Sequence, residues 1–249
     1  MSVFIGTKRL ASKNRSPLRR MGGQAAIEIR ERPNAWRLVI PTVLIAVGCA
    51  ALAVDMPLAR WFDARSLPGF FKKSFDLAEV FGHGQGVAAI LLTIWILSPQ
   101  LRSRLPRVIC CAYLSGLAAD VLKLFLARSR PNTIDFSAMH SVWKTFGTWL
   151  PFFSSSGQQS FISAHTATAI GLALGLFWLL PRGKWLFGFF ALLVALQRIA
   201  GPYHFASDTF WGAAIGWLVA SAFLPGGWLA SRFDQVESKL ALRGTDGSL

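Results

Sequence analysis

Apolar residues in this chain do not alternate, and they do not recur at a helical period beside polar ones; they come in long runs broken by short polar stretches. Six runs approach the roughly 20 residues needed to cross a hydrocarbon core of about 30 Å. They are Leu38 to Val54, Leu77 to Leu97, Leu105 to about Ala127, Ile162 to Leu180, Trp185 to about Ala200, and Phe205 to Leu224. The second is weakened in its opening half by Glu79, His83 and three glycines. The pattern predicts an all-α, integral membrane six-helix bundle over residues 37–225, between a basic tail at 1–36 and a second tail at 226–249. A cleaved signal peptide is not expected, because the first apolar run comes late and no small-residue cleavage site follows it closely. Between the first two runs, Asp55 to Phe75 mixes aromatic residues with Arg60, Arg65, Lys72 and Lys73. It reads equally well as an interfacial stretch on the outer leaflet and as a loop with an aromatic belt.

Composition narrows the class further. Of the 249 residues 53% are apolar and 15% charged, well under the roughly 25% charged of a soluble domain. Cys49, Cys110 and Cys111 all fall inside apolar runs, where they act as small hydrophobes and frame no disulfide scaffold.

The net charge of +14 would suggest nucleic acid in a soluble protein, but here it reports topology. Lys and Arg before and at Arg37, in the turns with Arg102, Arg104 and Arg107 and with Arg182 and Lys184, and in the tail after Leu224 make up seventeen of the 26. Positive charge of this kind marks the cytoplasmic side, so both termini are expected there. Anionic lipid could also hold the basic tail, although sidedness already accounts for its charge.

The remaining ionisable residues near the runs gather on the opposite side. Lys123, Arg128 and Arg130 close the third run, His165 opens the fourth, Arg198 ends the fifth, and His204 and Asp208 open the sixth. Charge at a membrane boundary is costly and marks function. A pocket with several cations and one acid is built for an anion, and the arginine fork matches phosphate oxygens. Such a cation ring repels a divalent metal, so metal-independent chemistry without a cofactor is expected. His204 and Asp208, four residues apart, would share a helix face. The carboxylate would then fix the tautomer of a histidine that attacks directly. His165 would donate a proton to a leaving oxygen. Ser163 would offer a hydroxyl and, with Ala164, backbone N–H groups facing the anion.

These positions resemble three motifs of the type 2 phosphatidic acid phosphatase (PAP2) and vanadium haloperoxidase superfamily, in its membrane lipid phosphatase branch. Lys123 to Pro131 matches K-x6-R-P; Ile162-Ser163-Ala164-His165 stands for P-S-G-H; and Gln197-Arg198, five residues, His204, three residues, Asp208 stands for S-R-x5-H-x3-D. All three occur in order at the outer ends of predicted spans, and the likeness covers most of Leu38 to Leu224. It implies that His204 forms a phosphohistidine, with Asp208 as its partner and His165 as general acid. It further implies that Lys123, Arg130 and Arg198 hold the phosphate, assisted by Ser163 and the Ala164 amide. The expected activity is hydrolysis of a lipid phosphate monoester or diphosphate at the outer face of a bacterial inner membrane. Candidate substrates are undecaprenyl diphosphate, phosphatidic acid, phosphatidylglycerol phosphate and lipid A phosphates. The expected partners are that substrate and membrane lipids, with no nucleic acid and no obligate protein partner.

The chain departs from the motifs at three places. Ile162 lacks the pre-set φ of Pro, Ala164 lacks the freedom of Gly, and Gln197 replaces Ser. With every charged position retained, an active enzyme is expected. A phosphotransferase using the same intermediate, a haloperoxidase, and a lipid-phosphate-binding pseudoenzyme are the alternatives. Arg128 lies outside the motif's required positions and is read as a snorkelling anchor, and His83 and His140 as packing residues. Asp120 partners either Lys123 or a neighbouring helix.

Overall fold

The computed structural model describes residues 35–65, 67–149, 157 and 159–246; most of the basic tail lies outside them. Eight α-helices are described: α1 (Trp36–Ala64), α2 (Gly69–Ala78), α3 (Gly84–Leu97), α4 (Leu105–Lys123), α5 (Ala164–Leu179), α6 (Lys184–Ala200), α7 (Ala206–Phe223) and α8 (Ala230–Asp246). The helical architecture expected from the apolar runs has one addition, an antiparallel pair of short strands, β1 (Leu126–Arg128) and β2 (Phe146–Trp149). The third apolar run therefore ends as helix at Lys123, and its last residues pair as strand.

Helix α5 occupies the centre, packed against α4, α6 and α7, while α1 lies along α7. Its sequence, rich in Ala, Gly and Thr, has little bulk, so neighbouring backbones come close. A Cβ at Gly171 would stand 2.1 Å from the Cys111 carbonyl oxygen of α4, a separation only glycine tolerates. Larger apolar residues fill the bundle away from this seam, with Val87, Leu105, Val108, Leu172, Leu176 and Val194 fully or almost fully buried. Many other large apolar side chains remain outward, among them Val43, Leu92, Leu117 and Phe189. An outer surface of that kind suits lipid rather than water.

Among the described residues, three helical segments are long and apolar enough to cross a membrane: Trp36–Ala64, Pro99–Lys123 and Pro181–Ala200. A fourth is reached if α2 and α3 count as one span, for the pair Gly69–Phe81 and Gly84–Leu97 bends by 66°. The second apolar run is thus broken, at the glycines and His83 that weakened it. His83 takes an extended backbone and caps α3 by accepting the Gln85 N–H. The fourth run yields α5, 16 residues long, short for an unaided crossing.

Two more segments differ from expectation. Helix α1 runs through Pro57 to Ala64, so Asp55 is not on an interfacial stretch but inside a helix and almost fully buried. The second tail contains α8, which docks on the end of the bundle opposite the His204 cluster. There the buried Arg107 guanidinium donates to Asp234 and Glu237, at 2.6 Å each, and lies 4.5 Å from the Trp178 ring centroid.

Candidate active site

The ends of α4, α5, α6 and α7 bring the motif residues together. The loop after β1 is fixed first, because the Ser129 and Arg130 N–H groups donate to the Thr145 and Gly157 carbonyls. Pro131 starts a 3-10 turn that the Asn132 N–H ties to the Pro202 carbonyl. Arg130 is thereby held beside the α6–α7 turn. That turn is built by the Arg198 carbonyl, which accepts the Tyr203 and His204 N–H groups at 3.1 and 3.0 Å. Arg198 and His204 are thus set by one main-chain group.

His204 is buried, with its Nδ1 2.6 Å from the Ser160 carbonyl. A carbonyl only accepts, so Nδ1 carries the hydrogen and Nε2 keeps a lone pair. Burial pushes the His204 pKa well below the usual histidine range. The charge of Lys123 adds to that, the Ser160 carbonyl opposes it, and Arg130 and Arg198 act in the same downward direction. The imidazole is neutral at pH 7. The charges of three motif cations, Lys123, Arg130 and Arg198, bear on this one ring.

Asp208 does not meet His204 in the way the spacing suggested. His204 stands ahead of Phe205, the residue that caps α7, so the two never share a helical face. The carboxylate instead accepts from Arg128 Nη1 at 2.6 Å, from Ser160 Oγ at 2.7 Å and from the Phe205 N–H at 3.0 Å. Its link to His204 runs through Ser160, whose hydroxyl it holds and whose carbonyl orients the ring.

Arg128 is no snorkelling anchor. It is fully buried between the Phe146 and Phe205 rings, with centroids 4.5 and 4.1 Å from Cζ. Its other nitrogens reach Asp55 Oδ2 at 2.7 Å and Thr145 Oγ1 at 3.2 Å. Asp55 in turn accepts from the Ser207 N–H and hydroxyl. This buried network ties α1, β1 and α7 together beneath His204.

At the start of α5, Ser163 is a helix cap. Its Oγ accepts from the Thr166 hydroxyl at 3.0 Å and faces the Thr166 N–H at 3.4 Å, and its own N–H donates to the Asp208 carbonyl at 3.1 Å. The Ser163 N–H is therefore spent, contrary to the expected amide cradle. The Ala164 and His165 N–H groups lack a hydrogen-bond partner among the described residues, as the first N–H groups of a helix do. Ala164 is the first residue of α5, a backbone state any L residue adopts, so its methyl group brings no strain. Ile162 packs with Ala119, Ala167, Leu122 and Trp211.

Two cations of the cluster, Lys123 and Arg198, have internal partners. Lys123 Nζ donates to Asp120 Oδ1 at 2.8 Å, which settles the partner of Asp120. Arg198 Nη2 lies 2.6 Å from Glu79 Oε1, near enough for an ion pair but off line for a hydrogen bond. The same oxygen is 3.6 Å from His165 Nε2. Gln197, where the motif has Ser, donates to Glu79 Oε2 at 3.3 Å and accepts from Arg198 Nε. Arg130 Nε is buried without a partner among the described residues; burial, then the Arg198 charge, lowers the Arg130 pKa from its usual value.

His83 lies with its ring centroid 5.7 Å from that of His165. Gly82 lets this segment reach α5, since a Cβ there would stand 2.7 Å from the His165 carbonyl oxygen. His140 Nδ1 accepts from the Arg60 guanidinium at 3.1 Å, away from the cluster. Among the described residues, no three His, Cys, Asp or Glu side chains gather as a metal site. Sequence reasoning missed Glu79, Asp55 and Ser160. Glu79 had a signal, a carboxylate inside an apolar run.

The model of the PAP2 superfamily matches residues 105–231, just over half of the chain. No curated protein matches it. A PAP2-type transmembrane phosphatidylglycerolphosphate phosphatase from Bacillus subtilis has a similar fold, with TM-score 0.53 and 17% identity over 80% of this chain and 96% of that one. LpxE of Aquifex aeolicus aligns at TM-score 0.47 and 21% identity over 67% of this chain and 92% of the other.

Proposed function

The chain belongs to the PAP2 superfamily, and from that premise we propose that it is a membrane-embedded lipid phosphatase acting through a phosphohistidine at His204. The observation that carries this reading is a neutral His204, its Nε2 lone pair available and the charges of Lys123, Arg130 and Arg198 bearing on it. Nε2 attacks phosphorus as the bond to the leaving oxygen breaks, and His165, protonated once the bound phosphate offsets the surrounding cations, gives that oxygen its proton. Water then attacks phosphorus while neutral His165 takes the water proton. The P–N bond breaks, its electron pair returns to Nε2, and inorganic phosphate is released. The three cations neutralise charge on the non-bridging oxygens, with the Ala164 amide as a further donor. Ser163 supports this as the cap that aims the start of α5. Asp208 is a positioning residue, acting through Ser160.

In this reading the domain of residues 37–225 crosses the membrane six times, with α5 and α7 shielded by their neighbours. Both tails are cytoplasmic and the His204 cluster faces the exterior or periplasmic side of a bacterial inner membrane. That Arg107 and Lys123 stand at opposite ends of α4 supports that sidedness. The substrate is a lipid phosphate monoester or diphosphate. A hydrophobic chain suits the apolar groove of about 370 Å³ between Leu77, Phe81, Ile90, Phe187 and Phe190, which adjoins the Glu79 turn.

The test is phosphate release by detergent-purified protein from phosphatidic acid, phosphatidylglycerol phosphate, undecaprenyl diphosphate and lipid A phosphates, with chelator present. Release that His204→Ala abolishes is expected. A folded protein that binds these lipids without releasing phosphate would overturn the reading, and product capture on an added alcohol would make it a phosphotransferase.

A further inference from the structure

Glu79 comes from the 3-10 turn between α2 and α3, a segment that carries none of the three motifs. Its carboxylate nevertheless stands among the groups that would hold a phosphate, 2.6 Å from Arg198 and 3.6 Å from His165. A carboxylate has the charge sign and much of the oxygen geometry of a phosphate edge. It is held there loosely. The pair with Arg198 is out of line for a hydrogen bond, the Gln197 amide reaches it at 3.3 Å, and the side chain keeps 34% of its exposure. A group built to fix Arg198 permanently would be buried and hydrogen-bonded in line, as Asp55 and Asp208 are on Arg128. The turn that carries it also sits at the 66° break, next to the apolar groove on one side and His165 on the other.

Resting on the phosphatase reading, we propose that Glu79 is an internal anion that competes with phosphate for Arg198 and His165, and so sets how tightly the site holds phosphate. In the unliganded enzyme it neutralises Arg198. An incoming phosphate exchanges with it, and after hydrolysis the carboxylate returns and speeds the departure of inorganic phosphate. A lipid substrate compensates for the exchange through burial of its chain; free phosphate has no such compensation. Glu79 therefore makes the site selective for phosphate attached to an apolar tail. Gln197, the departure from the motif's Ser, is its anchor.

The experiment measures binding of radiolabelled inorganic phosphate by equilibrium dialysis, using full-length protein in detergent at fixed salt and pH 7. The proteins are the wild type, Glu79→Gln, Glu79→Asp, Glu79→Ala and Arg198→Ala, each checked by its melting temperature. Glu79→Gln and Glu79→Ala are expected to bind phosphate about two- to fivefold more tightly, the range set by a partly exposed ion pair. Product inhibition should strengthen by the same factor. Glu79→Asp, which keeps the charge, should stay closer to wild type. Unchanged or weaker phosphate binding in both neutral variants, with Arg198→Ala abolishing binding, overturns the competition alone. Absence of Arg198-dependent phosphate binding in every protein overturns the phosphatase reading with it. If Glu79→Gln does not fold, Glu79→Ala decides.

Discussion

The Nδ1 atom of His204 lies 2.6 Å from the main-chain carbonyl of Ser160, 44 residues earlier in the chain. A backbone group therefore fixes the tautomer of the proposed nucleophile, and the carboxylate of Asp208 stands one residue further back, on the Ser160 hydroxyl. The division separates two mutations that a direct His–Asp pair would make alike. Ser160→Ala keeps the carbonyl and removes one charge-assisted hydrogen bond, so activity should fall about tenfold with a stability loss of about 1.5–3 kcal/mol. Asp208→Asn also weakens the buried pair with Arg128, and should cost about 3–5 kcal/mol. Melting temperature and kcat measured together check this. Asp208→Asn with full stability and strongly reduced kcat would restore the direct pair.

Neutral His204 makes stability depend on pH in a stated direction. Its folded pKa is depressed well below the unfolded value of about 6.5. Between those values the unfolded chain binds the extra proton, so stability rises with pH there. It is fully present above about pH 6.5 and declines as pH falls below it, by up to about 1.4 kcal/mol per unit from this one group. The difference between wild type and His204→Gln in melting temperature, scanned from pH 8 to pH 5, isolates that slope. Parallel curves would refute the buried neutral imidazole.

His204→Ala should also remove the phosphoenzyme itself. Rapid quenching with labelled substrate followed by alkaline isolation should trap an acid-labile label on the wild type and none on the variant. Turnover should fall at least about 10³-fold. His165→Ala should instead leave a trapped intermediate and hurt poor leaving groups more than activated ones.

The motif residues were legible because each sits at the end of an apolar run, where a charge stands out against its neighbours. Lys123, Arg130, Arg198, His165 and His204 could be assembled from one dimension once the runs were folded back on each other. Asp55 could not be. It meets Arg128 and Ser207 from 73 and 152 residues away, and at the edge of an aromatic-rich stretch it looked like an interfacial polar residue. Ser160 acts through its carbonyl, and no side-chain pattern encodes that. The i, i+4 spacing of His204 and Asp208 misled because periodicity assumes a helix that starts before both, whereas α7 begins at Ala206. The break of α2 from α3 was visible only as weakness, since glycines reveal where a helix is poor but not which carbonyl it bends to meet.

The end of the molecule away from His204 offers a comparison in which distance is held constant. Asp234 and Glu237 of α8 both lie 2.6 Å from the buried guanidinium of Arg107, yet their side chains retain 68% and 13% of their exposure. Water screens the first pair and the second far less, so equal geometry should not mean equal energy. Asp234→Ala is expected to change stability by no more than about 1 kcal/mol. Glu237→Ala leaves the deeper half of the guanidinium uncompensated and should cost about 3 kcal/mol. Burial raises the Glu237 pKa and Arg107 opposes it, so the folded protein holds the Glu237 proton more tightly than the unfolded chain, and Glu237→Ala should cost no less at pH 5.5 than at pH 8. Unfolding of both variants in one detergent, at pH 8 and pH 5.5, checks the order. Equal losses at pH 8 would show that α8 docks through its apolar face, with Phe233 on Phe223, and that the ion pairs only set its register.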